Sequence, residues 1–160
     1  MTKPYYTVAN FAAPNALGYL VRRLHNLMVP CAEAQFAGEE LTFSHWVALV
    51  SLRDGITHTC ADIARHMNHD SGATTRLVDQ LEERGLVARQ RSKTDRRVVD
   101  LVLTAEGKAV AKALTPRVIN VCNQSIEGMS VAEVDALLAS LKRLIARLEE
   151  MQPEKVRGAR

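Results

Sequence analysis

Residues 91–104 have the sequence RSKTDRRVVDLVLT, in which a cluster of cations is followed at once by an apolar run. The run is rich in β-branched residues, and Val99, Leu101 and Leu103 would share one face at a period of two. It is therefore predicted to be a β-strand. The segment LVARQR, residues 86–91, predicts a partner strand, and SKTD predicts the turn between them. Together they indicate a β-hairpin with cations at its tip.

Positive charge is concentrated around this hairpin. Residues 84–97 hold six cations and one carboxylate, Asp95, whereas the formal net charge of the 160-residue chain is only +3. The six cations are Arg84, Arg89, Arg91, Lys93, Arg96 and Arg97. Local positive charge on a nearly neutral protein is typical of a surface that binds a polyanion. The alternative is an ordinary solvated loop, and charge alone does not exclude it.

The composition is that of a folded, intracellular protein. With 47% hydrophobic and 24% charged residues the chain is expected to be globular. Its three cysteines, Cys31, Cys60 and Cys122, are widely spaced, which argues against a disulfide framework and favours a reducing compartment. No apolar run is long enough for a membrane span or a signal peptide. We therefore expect a soluble cytoplasmic protein with no membrane partner.

Four helices are predicted before the hairpin, over residues 15–36, 43–53, 60–67 and 71–84. Thr42 and Thr59 can cap the second and third helices, and Gly85 is placed to end the fourth. Pro30 falls inside the first helix, where a missing N–H group should kink or interrupt it.

Two longer helices are predicted after the hairpin. Thr104 can cap a fifth helix that extends to about Gly128, and Ser130 with Glu133 forms a capping box at the start of a sixth. The sixth helix has a long apolar seam, formed by Val134, Leu137, Leu138, Leu141, Leu144, Ile145, Leu148 and Met151. This seam is wider than a single helical core needs. We predict that the terminal helices of two chains interlock in a homodimer.

Two helices followed by a cationic hairpin is the element order of a winged helix-turn-helix. The predicted fold class is mainly α with a small β-hairpin wing: a winged helix-turn-helix with long N- and C-terminal dimerisation helices. Within one domain, 1–160, the DNA-binding lobe would span 42–104. The dimerisation helices would span 14–37 and 105–151.

The fourth helix has the features of a recognition helix. Ser71, Gly72 and Ala73 are small enough for DNA to approach the helix N-terminus, where backbone N–H groups favour phosphate. Thr75 and Arg76 can reach bases or phosphates, since arginine pairs well with the edge of guanine. The following turn, residues 79–83, is acidic and is expected to point away.

The hairpin tip suits the narrow minor groove beside such a helix, because a rigid ribbon holds its cations beyond the body of the protein. Lys93, Arg96 and Arg97 would supply these cations. Asp95 is expected to pair with the guanidinium of Arg97 and to set the shape of the tip.

The sequence LVDQLEERGLVARQRSKTDRRVVDLVLTAEG, residues 77–107, resembles the multiple antibiotic resistance regulator (MarR) family. The resemblance covers about residues 45–107, and the order of the flanking helices fits as well. It implies a homodimeric repressor that binds an inverted-repeat operator in double-stranded DNA and leaves it when a small phenolic or aryl-acid effector binds. The helix contacts of the family would fall on Ser71, Ala73, Thr75 and Arg76, and its wing motif on Asp95, Arg96 and Arg97. The family often has a larger apolar residue where Thr74 stands, so that turn is expected to pack less firmly.

An aryl-acid effector would need apolar walls and a cation or imidazole. Arg22, His25, His45 and Trp46 are the candidates, although Trp46 as core and Arg22 as surface are equally compatible with the sequence.

Two other sensing modes stay open on the same fold. His66 and His69 lie three residues apart near His58 and Cys60, but no CxxC or HExxH motif occurs, so no metal site or cofactor is predicted. A redox switch at Cys31 is conceivable, but its neighbours are not cationic, and a buried structural cysteine fits better.

Cys60 and Cys122 are expected in the core. The chain also lacks a supported catalytic constellation and is predicted not to be an enzyme. A dimeric small-molecule carrier that binds no DNA is the remaining alternative.

Overall fold

The structure, a computed structural model, describes residues 4–92, 95 and 97–151. The helices in these residues are α1 (Leu17–Ala34), α2 (Phe43–Arg53), α3 (Cys60–Met67), α4 (Ser71–Glu83), α5 (Ala105–Ser125) and α6 (Val131–Met151). Strands β1 (Val87–Arg91) and β2 (Val99–Leu103) form one antiparallel hairpin between α4 and α5. The predicted fold class, mainly helical with a two-stranded wing, is confirmed.

Side chains at the helix ends explain where α2, α3 and α4 begin. Thr42 and Thr59 each accept a hydrogen bond from the third residue of their helix, and both caps are complete capping boxes. Asp70 caps α4, because its Oδ1 accepts from the N–H group of Ala73 at 2.8 Å. Gly85 follows α4 with a φ of +70°, a left-handed conformation that glycine adopts without strain.

Pro30 does not interrupt the first helix. Helix α1 runs unbroken through it, so the expectation of an interruption is wrong. The physical reason is that proline removes a single intrahelical hydrogen bond, whereas the remaining turns of an 18-residue helix keep theirs.

The hairpin register places the apolar residues of β2 against the body of the lobe. Val87 pairs with Leu103, and Arg91 pairs with Val99. Leu101 and Leu103 are buried, but Val99 is 47% exposed because it lies at the tip end of the ribbon, beyond the core. The N–H group of Leu101 also donates to the carbonyl of His58, at 2.7 Å, which fastens β2 to the segment before α3.

One core unites α2, α3, α4, the hairpin and the first half of α5. Its fully buried large side chains include Leu49, Ile63, Val78, Leu81 and Val87. The start of α5 approaches the start of β1 so closely that a Cβ atom at Gly107 would lie 2.0 Å from the carbonyl oxygen of Leu86.

The chain divides between Val121 and Cys122 into two compact units. In the second unit the predicted capping box is present, since Glu133 Oε2 accepts from the N–H group of Ser130 at 2.8 Å. Helix α6 buries none of its side chains, and Leu137, Leu138, Leu144, Ile145, Leu148 and Met151 are all exposed. In the first unit, α1 likewise exposes Leu20, Val21, Leu24 and Leu27.

The cysteines are more exposed than predicted. Cys31 and Cys122 are exposed and Cys60 is half-buried, so the expectation of buried cysteines is wrong for the first two. Both lie on helix faces that the core of the chain does not cover. Among the residues described, no helix combines the length and the apolar character that crossing a membrane requires.

Candidate nucleic-acid interface

Helix α4 exposes the face that the sequence predicted. Ser71, Gly72, Thr75 and Arg76 are exposed, and Ala73 is partly exposed. The opposite face is buried and consists of Thr74, Leu77, Val78 and Leu81. The first two turns of α4 therefore present small and hydrogen-bonding side chains to solvent from a rigidly packed helix.

Thr74 packs fully despite its polar side chain. It is 0% exposed, and its hydroxyl donates to the carbonyl of Asp70 at 2.9 Å. The expectation of looser packing at this turn is therefore wrong, because the hydroxyl group is satisfied within the helix.

The N-terminus of α4 holds the carboxylate of Asp70, with the cation of Arg76 nearby. Hydrogen bonding from the Ala73 N–H group is the main influence that lowers the pKa of Asp70, and the nearby Arg76 lowers it further. The guanidinium of Arg76 reaches back along the helix, since a Cβ atom at Gly72 would lie 3.9 Å from Arg76 Nη1. A cation thus lies beside the positive end of the helix dipole, where a phosphate is favoured.

Thr75 has a defined hydrogen-bonding role. Its hydroxyl donates to the carbonyl of Ser71 at 2.8 Å, which leaves its oxygen lone pairs available as acceptors. Cys60 Sγ lies 3.9 Å from this hydroxyl oxygen, at the junction of α3 and α4. Thr75 is therefore suited to accept from an amino group on a base edge.

The predicted ion pair between Asp95 and Arg97 is present. Asp95 accepts from the backbone N–H of Arg97 at 3.0 Å and from its Nε and Nη2 atoms, each at 3.2 Å. The side-chain hydrogen bonds of Arg97 lower the pKa of Asp95, and the backbone bond adds to this. The side chain of Arg97 is still 90% exposed. Lys93 and Arg96, also predicted to contact DNA, lie outside the described residues.

Two of the cations counted in the sequence are neutralised within the lobe. Arg84 pairs with Glu40 at 2.7 Å. Arg89 on β1 pairs with Asp79, at 2.6 Å, and with Glu82, both on α4. The positive surface is therefore smaller than the linear charge count indicated, and the acidic turn of α4 holds the wing strand. The position of Arg89 in the sequence indicated this pairing, because Arg89 is the cation nearest the base of the hairpin, where the wing joins α4.

The four effector candidates lie in two groups. Arg22 and His25 are exposed on α1, where Arg22 lines an open cavity of about 400 Å³ with Tyr19 and Leu27. His45 and Trp46 lie on α2, and Trp46 Nε1 donates to the carbonyl of Ala111 at 3.3 Å. No hydrogen bond among the described residues joins one group to the other.

His45 has a role that the sequence reasoning missed. It is 8% exposed, and both ring nitrogens are hydrogen-bonded, Nδ1 to Thr42 and Nε2 to Gln80 on α4. The spacing of three residues from Thr42 to His45 is that of a capping box, and it could have indicated this role in the sequence.

No group of three or more metal-binding side chains occurs in the part of the chain that the structure describes.

The fold and the exposed face of α4 define a winged helix-turn-helix protein. A model of the MarR family matches residues 41–99, which cover the helix-turn-helix and most of the wing. The transcriptional repressor MprA of Escherichia coli is 28% identical over 113 residues, which are 69% of this chain and 64% of MprA. The match thus spans less than two thirds of that relative.

Solved structures agree with this assignment. The MarR family protein Rv2887 of Mycobacterium tuberculosis in complex with salicylic acid has a TM-score of 0.70 at 27% identity, covering 86% of this chain and 99% of that one. CouR from Rhodococcus jostii bound to p-coumaroyl-CoA has a TM-score of 0.68 at 25% identity, covering 83% and 94% of the two chains. Over residues 41–99 the chain resembles the MarR family, and it shares the fold of these two structures.

Proposed function

We propose that this chain is a DNA-binding transcriptional regulator, a homodimeric repressor that an aromatic effector releases from an inverted-repeat operator. The observation that carries the proposal is the exposed N-terminal half of α4, from Ser71 to Arg76, with its small residues and hydrogen-bonding side chains. The wing supports it, because Asp95 binds Arg97 while leaving the guanidinium of Arg97 exposed. Ser71, Ala73, Thr75 and Arg76 would contact the major groove. Lys93, Arg96 and Arg97 would serve the minor groove.

DNA binding is tested with duplexes that the purified protein selects from a random pool. We expect one enriched inverted repeat and an affinity that falls steeply with salt. Arg76→Ala should reduce the affinity at least about tenfold, since a bidentate arginine contact to a base is worth about 1–3 kcal/mol. Arg147→Ala, which removes an exposed cation of α6, is the matched control and should bind as the wild type does. Failure to enrich any sequence would contradict the proposal.

The proposed effector class is an aromatic acid. The structures of Rv2887 and CouR contain salicylic acid and p-coumaroyl-CoA, respectively. In this chain, the cavity beside Tyr19 and Arg22 combines an aromatic wall with a cation. His25 on the same helix and Trp46 on α2 are the other proposed contacts, whereas the ring nitrogens of His45 are both hydrogen-bonded within the lobe.

Salicylate is the first compound to test for release of DNA, with cyclohexanecarboxylate as a control of similar size that lacks the aromatic ring. We expect salicylate to lower the DNA affinity and Arg22→Gln to weaken that response while leaving DNA binding itself intact. An unchanged DNA affinity at saturating salicylate would exclude this effector.

The same assay separates the other hypotheses. A thiol sensor would lose DNA binding on treatment with peroxide, and Cys31→Ser would prevent the loss. A zinc sensor would contain stoichiometric metal after purification. A carrier that binds no DNA would enrich no sequence at all.

A further inference from the structure

His45 on α2 is hydrogen-bonded to helix α4. The N–H group of Thr42 donates to its Nδ1 atom at 3.2 Å, and the hydroxyl of Thr42 contacts the same nitrogen at 2.8 Å. The other ring nitrogen, Nε2, is hydrogen-bonded to Gln80 Oε1, 2.9 Å away on α4. With Nδ1 as the acceptor, Nε2 is the donor in this bond.

We propose that His45 is a positioning residue for DNA recognition, which fixes the rotation and register of α4 through its hydrogen bond to Gln80. This inference rests on the proposed function, DNA binding by α4. It also assigns to Gln80, an exposed residue in the second half of the helix, a role in holding the helix rather than in reading bases.

The hydrogen bond to His45 acts together with the apolar packing of α4. Leu77, Val78 and Leu81 bury the inner face of the helix in the core. A hydrogen bond requires alignment of donor and acceptor, and one end of this bond is immobilised in the capping box of α2. The link to His45 therefore adds a directional contact to the apolar packing.

The geometry along α4 makes that constraint relevant to DNA. Gln80 lies five residues from Thr75, which is about 7.5 Å along the axis of a helix. Base contacts need their side chains held within about 0.5 Å and 10–20° of the productive geometry. A small rotation of α4 at Gln80 would move Thr75 and Arg76 by a comparable amount.

A second restraint acts on the same half of the helix from the other side. Arg89 of β1 binds Asp79 and Glu82, which flank Gln80 in the sequence. Helix α4 is thus held by α2 on one side and by the wing on the other. The ion pairs with Arg89 are half-exposed and weakened by salt, whereas His45 is buried, so the histidine should dominate at physiological ionic strength.

The test uses the full chain and the duplex that the wild type selects from a random pool. Gln80→Met removes the acceptor at similar length, and His45→Gln keeps a good capping-box side chain while withdrawing the imidazole N–H group. Each variant should lose about three- to tenfold in DNA affinity, the range that one hydrogen bond accounts for. The double variant should lose no more than either single one, because both changes break the same bond.

Ser51→Ala is the matched control. Ser51 hydrogen-bonds Thr57 and the carbonyl of Ala48, each at 2.9 Å, and neither partner lies on α4. The Ser51→Ala variant should lose at least as much stability as Gln80→Met but should bind DNA with wild-type affinity. A merely structural role for His45 predicts instead that affinity follows stability in all variants.

Nitrogen NMR of the histidine side chains supplies an independent readout. We expect the His45 signals to show a neutral ring protonated at Nε2 in the wild type. A ring protonated at Nδ1 would overturn the inference, and so would wild-type affinity in Gln80→Met or additive losses in the double variant. If the wild type enriches no sequence, the proposed function fails instead, so the two failures are distinguishable.

Discussion

At the scale of single residues, Gly107 allows a contact that no other residue could make. A Cβ atom there would lie 2.0 Å from the Leu86 carbonyl oxygen, which is backbone and cannot move aside cheaply. Gly107→Ala should therefore lower the free energy of unfolding by at least about 2 kcal/mol. Urea unfolding monitored by the fluorescence of Trp46 measures this.

Gly18 is the matched control for that substitution. It lies in α1 with nothing within 4 Å of its Cβ position. Gly18→Ala should leave stability unchanged or raise it by up to about 1 kcal/mol through helix propensity. Equal losses at the two positions would show that the close approach at Gly107 has no energetic weight.

Asp62 links the start of α3 to the pH dependence of stability. Burial is the largest single influence on its pKa and raises it, but hydrogen bonds from Thr59 and from the backbone N–H of His58 outweigh it, so the pKa is lowered. A lowered pKa stabilises the fold above the ordinary value of about 3.9, and this stabilisation is lost as the pH falls through the folded-state value. Asp62→Asn should cost about 1 kcal/mol at pH 7.

The difference between Asp62→Asn and the wild type should shrink as the pH falls below about 4 and vanish only below the lowered folded-state pKa of Asp62, where the folded wild-type carboxyl group is protonated as well. Urea unfolding at neutral and acidic pH checks this. Asp54→Asn is the control, because Asp54 forms only an exposed pair with Arg53 and should change stability little at either pH. A pH-independent loss in Asp62→Asn would contradict the assignment.

At the scale of elements, the wing depends on order as much as on charge. Arg97→Ala should flatten the dependence of log affinity on log salt concentration by up to about 2 in a dimer, since each phosphate contact contributes about 0.9. Asp95→Ala should also weaken DNA binding, although it makes the tip more positive. The reason is that an unrestrained tip must be ordered on docking.

A salt series with both wing variants tests this account. Dimerisation should be unchanged in each, which sedimentation verifies. Tighter binding by Asp95→Ala at every salt concentration would show that Asp95 is merely an unfavourable charge.

The contact between β1 and α4 gives a second prediction at this scale. Arg89→Gln leaves Asp79 and Glu82 without their cation near the proposed DNA surface, so DNA affinity should fall several-fold, most clearly at low salt. Arg84→Gln removes the same charge from a pair with Glu40, which is exposed. Anisotropy titrations should show a smaller loss of DNA affinity for Arg84→Gln than for Arg89→Gln. Equal losses would mean that both arginines contribute only through the net charge of the protein.

At the scale of the whole molecule, the terminal helices expose apolar seams. Helix α6 exposes Leu144, Ile145 and Leu148, and α1 exposes Leu20 and Leu24. We propose that these seams bury each other's apolar surface in a homodimer. Ile145→Glu would place a charge in that interface and should raise the dimer dissociation constant at least about a hundredfold.

Ala139→Glu is the control for the dimer, because position 139 lies roughly half a turn around α6 from the centre of the seam. It introduces the same charge and should leave the dimer intact in analytical ultracentrifugation. A wild type that sediments as a monomer at micromolar concentration would contradict the proposed assembly.

The sequence by itself determined the elements and the class of protein. Thr42 and Thr59 cap α2 and α3 as predicted, because a cap is a contact between residues three positions apart and needs no knowledge of the fold. The inward face of α4 and the hairpin followed from periodicity in the same way. The ion pair of Asp95 with Arg97 was also predictable, since only one residue separates them.

Only the tertiary structure decided which side chains are free to act. In the sequence, Arg84 and Arg89 belonged to the positive charge expected to bind a polyanion. In the structure, Arg84 pairs with Glu40, 44 positions away, and Arg89 pairs with the acidic turn of α4. His45 was an effector candidate in the sequence, whereas the fold brings Gln80, 35 positions away, to its Nε2 atom. Such pairings depend on how α2, α4 and the wing pack, and local patterns carry no information about contacts at that separation.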